Sequence, residues 1–111
     1  MADIILGPYV VGEEPAPLDY TFLDSAGAPL DLTGYTAAFR CREKFTDGVF
    51  SAAAAIPTGT DGLVEYTWSG SEFPTSGHYF AELWAGNGTN RFASLRIQFD
   101  VAASVGDAPT I

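Results

Sequence analysis

Residues 77–101, GHYFAELWAGNGTNRFASLRIQFDV, contain two runs of alternating apolar side chains separated by a turn. In the first run every second residue from Tyr79 is apolar, and in the second every second residue from Leu95 is. A period of two residues is typical of a half-buried β-strand, because successive side chains point to opposite faces. Asn and Gly at 86–90 tolerate the positive φ of tight hairpin turns. The stretch therefore predicts strands at 77–85 and 91–101 joined as a hairpin.

The same period recurs along the rest of the chain, interrupted by Gly, Pro, Asp and Ser. It predicts further strands at 4–11, 19–24, 35–43, 49–56 and 63–68, with Asp47 in the turn before the alanine-rich run. About seven short strands without a long amphipathic helix are typical of an antiparallel sandwich. We therefore expect an all-β fold, an immunoglobulin-like antiparallel β-sandwich over residues 1–101 with extended N- and C-terminal arms. Residues 102–111 lack periodicity and are expected to form a flexible or docking tail.

Composition and charge exclude several classes of function. A chain of 111 residues, 47% apolar, supports one folded domain. Fourteen acidic residues against five basic ones give a formal net charge of −9, which disfavours nucleic acid as a partner. No apolar stretch approaches the roughly 20 residues of a membrane span. The N-terminus lacks the basic region of a signal peptide, so we expect synthesis in a cytoplasm and no membrane partner.

The residues suited to catalysis or metal binding do not form a recognisable site. His78 is the single histidine, and zinc needs three or four His or Cys ligands. Cys41 is the single cysteine, so it has no disulfide partner, and its alternation with Phe39 places it in the core. The turn aspartates do not show the spaced oxygen ligands of a calcium loop. We expect no enzyme activity, no metal and no cofactor.

Two groups of side chains on strand faces are candidates for partner binding. If Tyr79 and its alternates face inward, Phe80 and Trp84 lie outward, on either side of Glu82. Large aromatics exposed together mark contact sites, although a loop or the C-terminal arm could equally cover them. The second group is Arg40, Arg42 and Lys44, which share one strand face. That face is either solvated and paired with neighbouring acids or a contact patch for an acidic partner.

Two stretches resemble a known family of phage proteins. The first stretch, residues 12–42, reads GEEPAPLDYTFLDSAGAPLDLTGYTAAFRCR and contains the turn D-x-x-G-x-P-x-D-L-T-G. The second stretch, residues 61–85, reads DGLVEYTWSGSEFPTSGHYFAELWA. It contains the pattern G-x-V-x-Y-x-W followed by the pattern G-x-Y-x-A-E. Both are similar to the N-terminal domain of bacteriophage baseplate upper proteins and to related immunoglobulin-like virion modules. The resemblance implies a virion structural role with neither enzyme activity nor cofactor. In the baseplate proteins this domain precedes further parts, whereas this sequence ends at Ile111, as expected of a stand-alone accessory.

The sequence thus predicts a non-enzymatic virion structural or accessory protein made in the host bacterial cytoplasm. We expect it to dock on capsid, tail or baseplate subunits, as head decoration or as a tail, baseplate or fibre adaptor. We also expect many copies or a homo-oligomer, with residues 4–11 or the tail lying on a neighbouring subunit. The alternative is a carbohydrate-binding or host-receptor-binding module that uses Phe80 and Trp84.

Overall fold

The structure, a computed structural model, describes residues 4–46 and 48–104. It confirms the predicted all-β class. The predicted turn residue Asp47 and most of the predicted tail, from residue 105 onward, lie outside the described residues, whereas Ala102 belongs to the last strand. The strands are β1 (Ile4–Val10), β2 (Leu18–Thr21), β3 (Thr36–Glu43), β4 (Phe50–Ala54), β5 (Leu63–Tyr66), β6 (Gly77–Gly86), β7 (Arg91–Ala93) and β8 (Ile97–Ala102), and one 3-10 turn spans Gly59–Asp61.

The strands form two sheets packed as a sandwich. The large sheet has the order β1-β8-β6-β3-β4, with β7 also paired to β6, and the small sheet consists of β2 and β5. Five of the six strand pairings are antiparallel, as predicted. The sixth, β1 with β8, is parallel, so the large sheet is mixed.

The parallel pair also changes the expectation for the N-terminal segment. We predicted that residues 4–11 or the C-terminal tail lies on a neighbouring subunit, but Ile4 pairs with Ile97 of the same chain, and the pairing continues to Val10 opposite Ala102. This pairing covers the free edge of β8 and provides partners for its backbone N–H and C=O groups. The N-terminal segment is therefore an edge strand of the large sheet.

The predicted strand at 91–101 is divided into β7 and β8 at Ser94. The backbone N–H of Ser94 donates to the carbonyl of Leu83 at 2.8 Å, but the N–H of Leu83 donates to the Ser94 hydroxyl at 3.0 Å. A side-chain oxygen thus replaces a backbone carbonyl, and the regular ladder is interrupted there. Leu95, predicted to face inward, is only half-buried, whereas Ile97 and Phe99 beyond the interruption are buried.

Aromatic rings fill the space between the sheets. Phe39 of β3 stacks on Tyr66 of β5, with ring centroids 4.0 Å apart, and so joins the large sheet to the small one. Trp68 lies at the centre of the cluster and is only 3% exposed. Its indole contacts the rings of Tyr9, Phe39, Tyr66, Phe73 and Phe99. These rings lie in the core, so other side chains form the outer face of the large sheet.

Candidate functional site: the outer face of the large sheet

Strand β6 divides its side chains between the core and the outer face, which is the face turned away from the small sheet. Every second residue from Tyr79 to Ala85 is buried, as the alternation predicted. The intervening Phe80, Glu82 and Trp84 are half-buried on the outer face. The aromatic pair predicted to lie outward therefore does so, although neither ring is fully exposed.

Strand β3 places its arginines directly beside these residues. Arg42 lies opposite Phe80 and Arg40 lies opposite Glu82 in the antiparallel register. Arg40 and Arg42 are both exposed, because the same register turns their neighbours Phe39 and Cys41 into the core. Two predicted groups, the aromatic pair and the arginine pair, are thus adjacent on one surface.

These side chains line a shallow cavity of about 280 Å³. We call it the outer-face cleft. Its lining consists of the side chains of Arg40, Arg42, Val49, Phe80, Glu82 and Arg96, together with Cys41 and Ala81, whose own side chains are buried toward the core. Trp84 lies beside the cleft on the same strand and does not line it.

Neighbouring polar side chains cover part of each aromatic ring. The guanidinium carbon of Arg96 lies 4.8 Å from the centroid of the Phe80 ring, a cation–π arrangement. The His78 ring contacts the same phenyl ring edge-on at 5.1 Å. The indole Nε1 of Trp84 donates to Oε1 of Glu82 at 2.6 Å. Among the described residues, this cover comes from His78 and Glu82 of β6 and from Arg96 in the connection between β7 and β8.

The arginines of β3 have few partners of their own. Within residues 4–46 and 48–104, no carboxylate lies within 4.0 Å of Arg40 or Arg42. Arg42 makes one long contact, 3.5 Å, with the carbonyl of Thr46. The described residues that line the outer-face cleft include three arginines and one glutamate, a formal charge of +2 on a protein whose net charge is −9.

Lys44 lies outside the cleft. Strand β3 ends at Glu43, and the chain then turns, so Lys44 belongs to the turn. Its ammonium lies 5.4 Å from the centroid of the Phe45 ring. The structure thus brings together five of the six residues predicted for partner binding, in or beside the cleft, and sets the lysine apart at the hairpin tip.

The hairpin tip adds apolar residues that sequence analysis missed. Phe45 is 84% exposed, and Val49, which lines the cleft, is 46% exposed. A phenylalanine within a turn departs from the polar composition usual for turns, and that departure was the available signal. Phe45 and Val49 extend the candidate surface from the cleft toward the end of the β3–β4 hairpin.

His78 forms a polar group at the other side of Phe80. Its Nδ1 lies 2.6 Å from Oδ1 of Asp100, and its Nε2 lies 2.9 Å from Oε1 of Gln98. These two hydrogen bonds, together with the charge of Asp100, raise the pKa of His78, against smaller opposing effects of desolvation and Lys44. The imidazole is therefore fixed by two side chains of β8.

The second feature that sequence analysis missed is a buried glutamate in the loop after β5. Glu72 is 2% exposed, and its carboxylate accepts hydrogen bonds from the Tyr66 hydroxyl, from the Ser69 N–H at 2.7 Å and from the Gly70 N–H at 2.9 Å. Burial by itself raises the pKa of Glu72, but these hydrogen bonds outweigh burial and hold the pKa below its usual value. The sequence Ser-Gly-Ser-Glu at 69–72 has the spacing of a capping box, which was the available signal.

Cys41 and His78, the single cysteine and the single histidine, lie on opposite faces of the large sheet and therefore cannot act together in catalysis. The Cys41 thiol is buried on the core side of β3, where desolvation and the nearby Glu72 raise its pKa to about 12. His78 lies on the outer face of the same sheet. In the described part of the chain, no group of three His, Cys, Asp or Glu side chains is arranged to hold a metal ion. Nor does that part contain a helix long and apolar enough to cross a membrane.

Comparison of the chain with protein-family models and with curated proteins finds no match.

Proposed function

We propose that this protein is a non-enzymatic phage virion accessory protein that docks on another virion protein through the outer face of its large sheet. Such a protein either decorates the head or serves as an adaptor in the tail, baseplate or fibre. The observation that carries the proposal is the outer-face cleft, where arginines surround a half-buried phenylalanine on the flank of a rigid sheet. Arginine and aromatic residues are the side chains most enriched at the energetic centres of protein interfaces.

The chemistry of the cleft supports binding over catalysis. Its side chains are guanidinium groups, a phenyl ring, an isopropyl group and the single carboxylate of Glu82. Hydrolysis of a sugar by the common two-carboxylate mechanism requires a second carboxyl group at a defined distance across the substrate, and the described lining of the cleft holds only one. Glu82 is instead engaged by the indole of Trp84. The cleft is suited to recognising a surface.

The aromatic residues favour a protein partner over a sugar. A carbohydrate stacks on an open aromatic face, but Arg96 already lies over the ring of Phe80. The indole N–H of Trp84, which could otherwise donate to a ligand, is held by Glu82 at 2.6 Å. Protein interfaces, by contrast, commonly include arginine stacked on an aromatic ring.

The phage assignment is supported by the resemblance of residues 12–42 and 61–85 to immunoglobulin-like virion modules. The turn shared with that family is held by its own side chains. Asp24 accepts hydrogen bonds from the N–H groups of Ala26 and Ala28, and Asp31 accepts from the N–H and hydroxyl of Thr33. These motif residues build the connection between β2 and β3, so the shared motif concerns architecture rather than a ligand site.

Co-sedimentation with virus particles that lack this protein tests the proposal. We expect purified protein to pellet with such particles and Trp84→Ala to reduce the bound fraction several-fold. The control is Thr21→Ala, an exposed residue of β2 in the small sheet and therefore away from the proposed docking face, which should bind like wild type. Failure of the wild-type protein to bind particles, or equal binding by Trp84→Ala, would overturn the proposed docking face. A tryptophan fluorescence change with neutral sugars, in the absence of particle binding, would support the carbohydrate alternative instead.

A further inference from the structure

We infer that the segment of the partner protein that occupies the outer-face cleft is an extended, acidic peptide with carboxylates at alternate positions. This inference rests on the proposed docking function and adds the chemistry of the partner. It is carried by the charge, the spacing and the apolar surroundings of the arginines on β3.

Positive charge is concentrated in the outer-face cleft. Three of the five basic residues of the chain, Arg40, Arg42 and Arg96, line one cavity, although the protein as a whole has a net charge of −9. The other two basic residues, Lys44 and Arg91, are outnumbered by fourteen acidic residues, so an acidic segment meets less like-charge repulsion at the cleft than on the rest of the surface.

The guanidinium groups of β3 have no carboxylate partner among the described residues. Arg40 lies opposite Glu82 in the strand register, yet the carboxylate of Glu82 accepts its hydrogen bond from Trp84, and no ion pair with Arg40 forms within the described part of the chain. Arg42 makes one hydrogen bond to a described residue, the Thr46 carbonyl at 3.5 Å. Both guanidinium groups thus retain donors for an external carboxylate, which they can hold through two parallel hydrogen bonds.

The spacing of the two arginines on β3 matches that of side chains on an extended peptide. Arg40 and Arg42 are two residues apart on one face of β3, which separates them by about 6.7 Å along the strand. An extended peptide has the same repeat between side chains on one of its faces, also about 6.7 Å. Two carboxylates at alternate positions of the peptide therefore match the two guanidinium groups.

The apolar surroundings define what flanks the carboxylates on the same face of the peptide. Phe80 is directly opposite Arg42, and Val49 lines the same cleft. An aliphatic or aromatic side chain two residues before or after the carboxylate pair shares their face of the extended peptide, and it would cover these groups and shield the ion pairs from water. Shielded, well-packed centres contribute most to binding at protein interfaces.

Binding of a synthetic peptide tests the inference. The probe is a fluorescent peptide of about twelve residues, long enough to span the cleft as an extended strand, in which two glutamates at alternate positions are flanked on the same face by leucines and threonine occupies the opposite face. The reference peptide has glutamine in place of each glutamate. We expect fluorescence anisotropy to show saturable binding of the glutamate peptide, weakened at least tenfold in the glutamine peptide and strongly reduced by added salt.

Charge reversal on β3 provides the matched comparison. The double variant Arg40→Glu/Arg42→Glu should bind the glutamate peptide at least tenfold more weakly than wild type, whereas Arg91→Glu should bind it normally. Both arginines are exposed, and an unchanged melting temperature in the double variant verifies that its fold is intact. Equal binding of the two peptides, equal binding by the double variant, or binding of a sulfated oligosaccharide without binding of the peptide would overturn the inference.

The particle assay separates this inference from the proposed function. If the double variant still pellets with particles while Trp84→Ala does not, the docking face stands and the acidic occupant is wrong. If neither variant loses particle binding, the docking face itself is wrong. Loss of both peptide and particle binding in the double variant supports both.

Discussion

The hydroxyl of Tyr66 donates a hydrogen bond to the carboxylate of Glu72, and both side chains are buried between the sheets. The same carboxylate also accepts from the backbone N–H groups of Ser69 and Gly70. One acidic side chain thus provides hydrogen-bond partners for a buried phenol and for the first turn of the loop after β5. A loop of ten residues, 67–76, is thereby fixed to the core without secondary structure of its own.

We expect Glu72→Gln to destabilise the protein by about 2–4 kcal/mol, because an amide leaves one buried acceptor too few and places an NH₂ group against donors. Urea unfolding followed by tryptophan fluorescence measures the change. Glu14→Gln is the matched control, since Glu14 is exposed and its substitution should change the free energy of unfolding by less than about 0.5 kcal/mol. Equal effects of the two substitutions would show that the Glu72 network contributes nothing specific.

The lowered pKa of Glu72 predicts a pH dependence of stability. A carboxyl whose pKa is lower in the folded state stabilises that state fully above its unfolded pKa, near 4.5, and the contribution is lost as pH falls through the folded value. The difference in unfolding free energy between wild type and Glu72→Gln should therefore shrink as pH is lowered from 6 toward 3. Taking this difference cancels the titration of the other acidic residues. A difference that stays constant over this range would contradict the assignment.

His78 predicts the opposite dependence. Its pKa is raised above 6.5 by Asp100 and Gln98, so the contribution of the protonated imidazole to stability is complete below 6.5 and is lost as pH rises through the folded pKa. Asp100→Asn should lower the pKa of His78, measured from the imidazole proton signals of this single histidine in an NMR titration. Asp24→Asn removes the same charge from the β2–β3 turn and should leave the titration of His78 unchanged. If both variants titrate as wild type does, the Asp100 contact is not formed in solution.

The two tryptophans should respond differently to truncation. Trp68 contacts five aromatic rings and is buried, so Trp68→Ala should cost about 3–5 kcal/mol. Trp84 is half-buried on the outer face, and Trp84→Ala should leave the melting temperature nearly unchanged while weakening particle binding. Thermal unfolding by circular dichroism compares them directly. A large fall in melting temperature for Trp84→Ala would place that side chain in the core.

The sequence predicted those features of the fold that depend on a local period. The alternation along β6 correctly separated Tyr79 from Phe80, because the pleat of a strand dictates which side chains share a face. It could not predict that the hydroxyl of Ser94 would replace a carbonyl and divide the last strand, since that depends on the position of Leu83. The parallel pairing of β1 is equally non-local, because a free strand edge accepts a neighbour in either direction.

For the candidate site, too, local patterns predicted individual residues but not how they are arranged. The aromatic pair and the arginine pair were each predicted from alternation, but their adjacency follows from the register of β3 on β6, which no local pattern specifies. Arg96 lines the cleft because the chain is irregular after Ser94, and Val49 lines it because the chain returns toward the sheet after the turn that follows β3. Most residues of the site could therefore be predicted from the sequence, but the cavity that they form could not.

Gly62 supplies the last prediction, since both its conformation and its surroundings require glycine. It ends the 3-10 turn with φ +67°, a left-handed conformation, and its carbonyl accepts the N–H of Phe22 at 2.8 Å. A Cβ atom at this position would lie 2.5 Å from the Phe22 carbonyl oxygen and 2.9 Å from the Leu30 nitrogen, both of them backbone atoms. These atoms are themselves joined by a hydrogen bond, Leu30 N–H to Phe22 O at 2.8 Å, so neither can move away without breaking it.

Gly27 separates the two causes, because it also has a left-handed φ, +82°, but open space around the Cβ position. Gly27→Ala should therefore cost only the conformational strain of about 1–2 kcal/mol, and Gly62→Ala should cost at least about 2 kcal/mol more because it adds a backbone clash. Chemical denaturation of both variants measures the difference, and the slope of unfolding free energy against denaturant verifies that each unfolds from a compact state. Since Gly62 lies in the motif that opens residues 61–85, equal costs at the two positions would mean that strain alone, and not the close approach of the Phe22 and Leu30 backbone, requires glycine there.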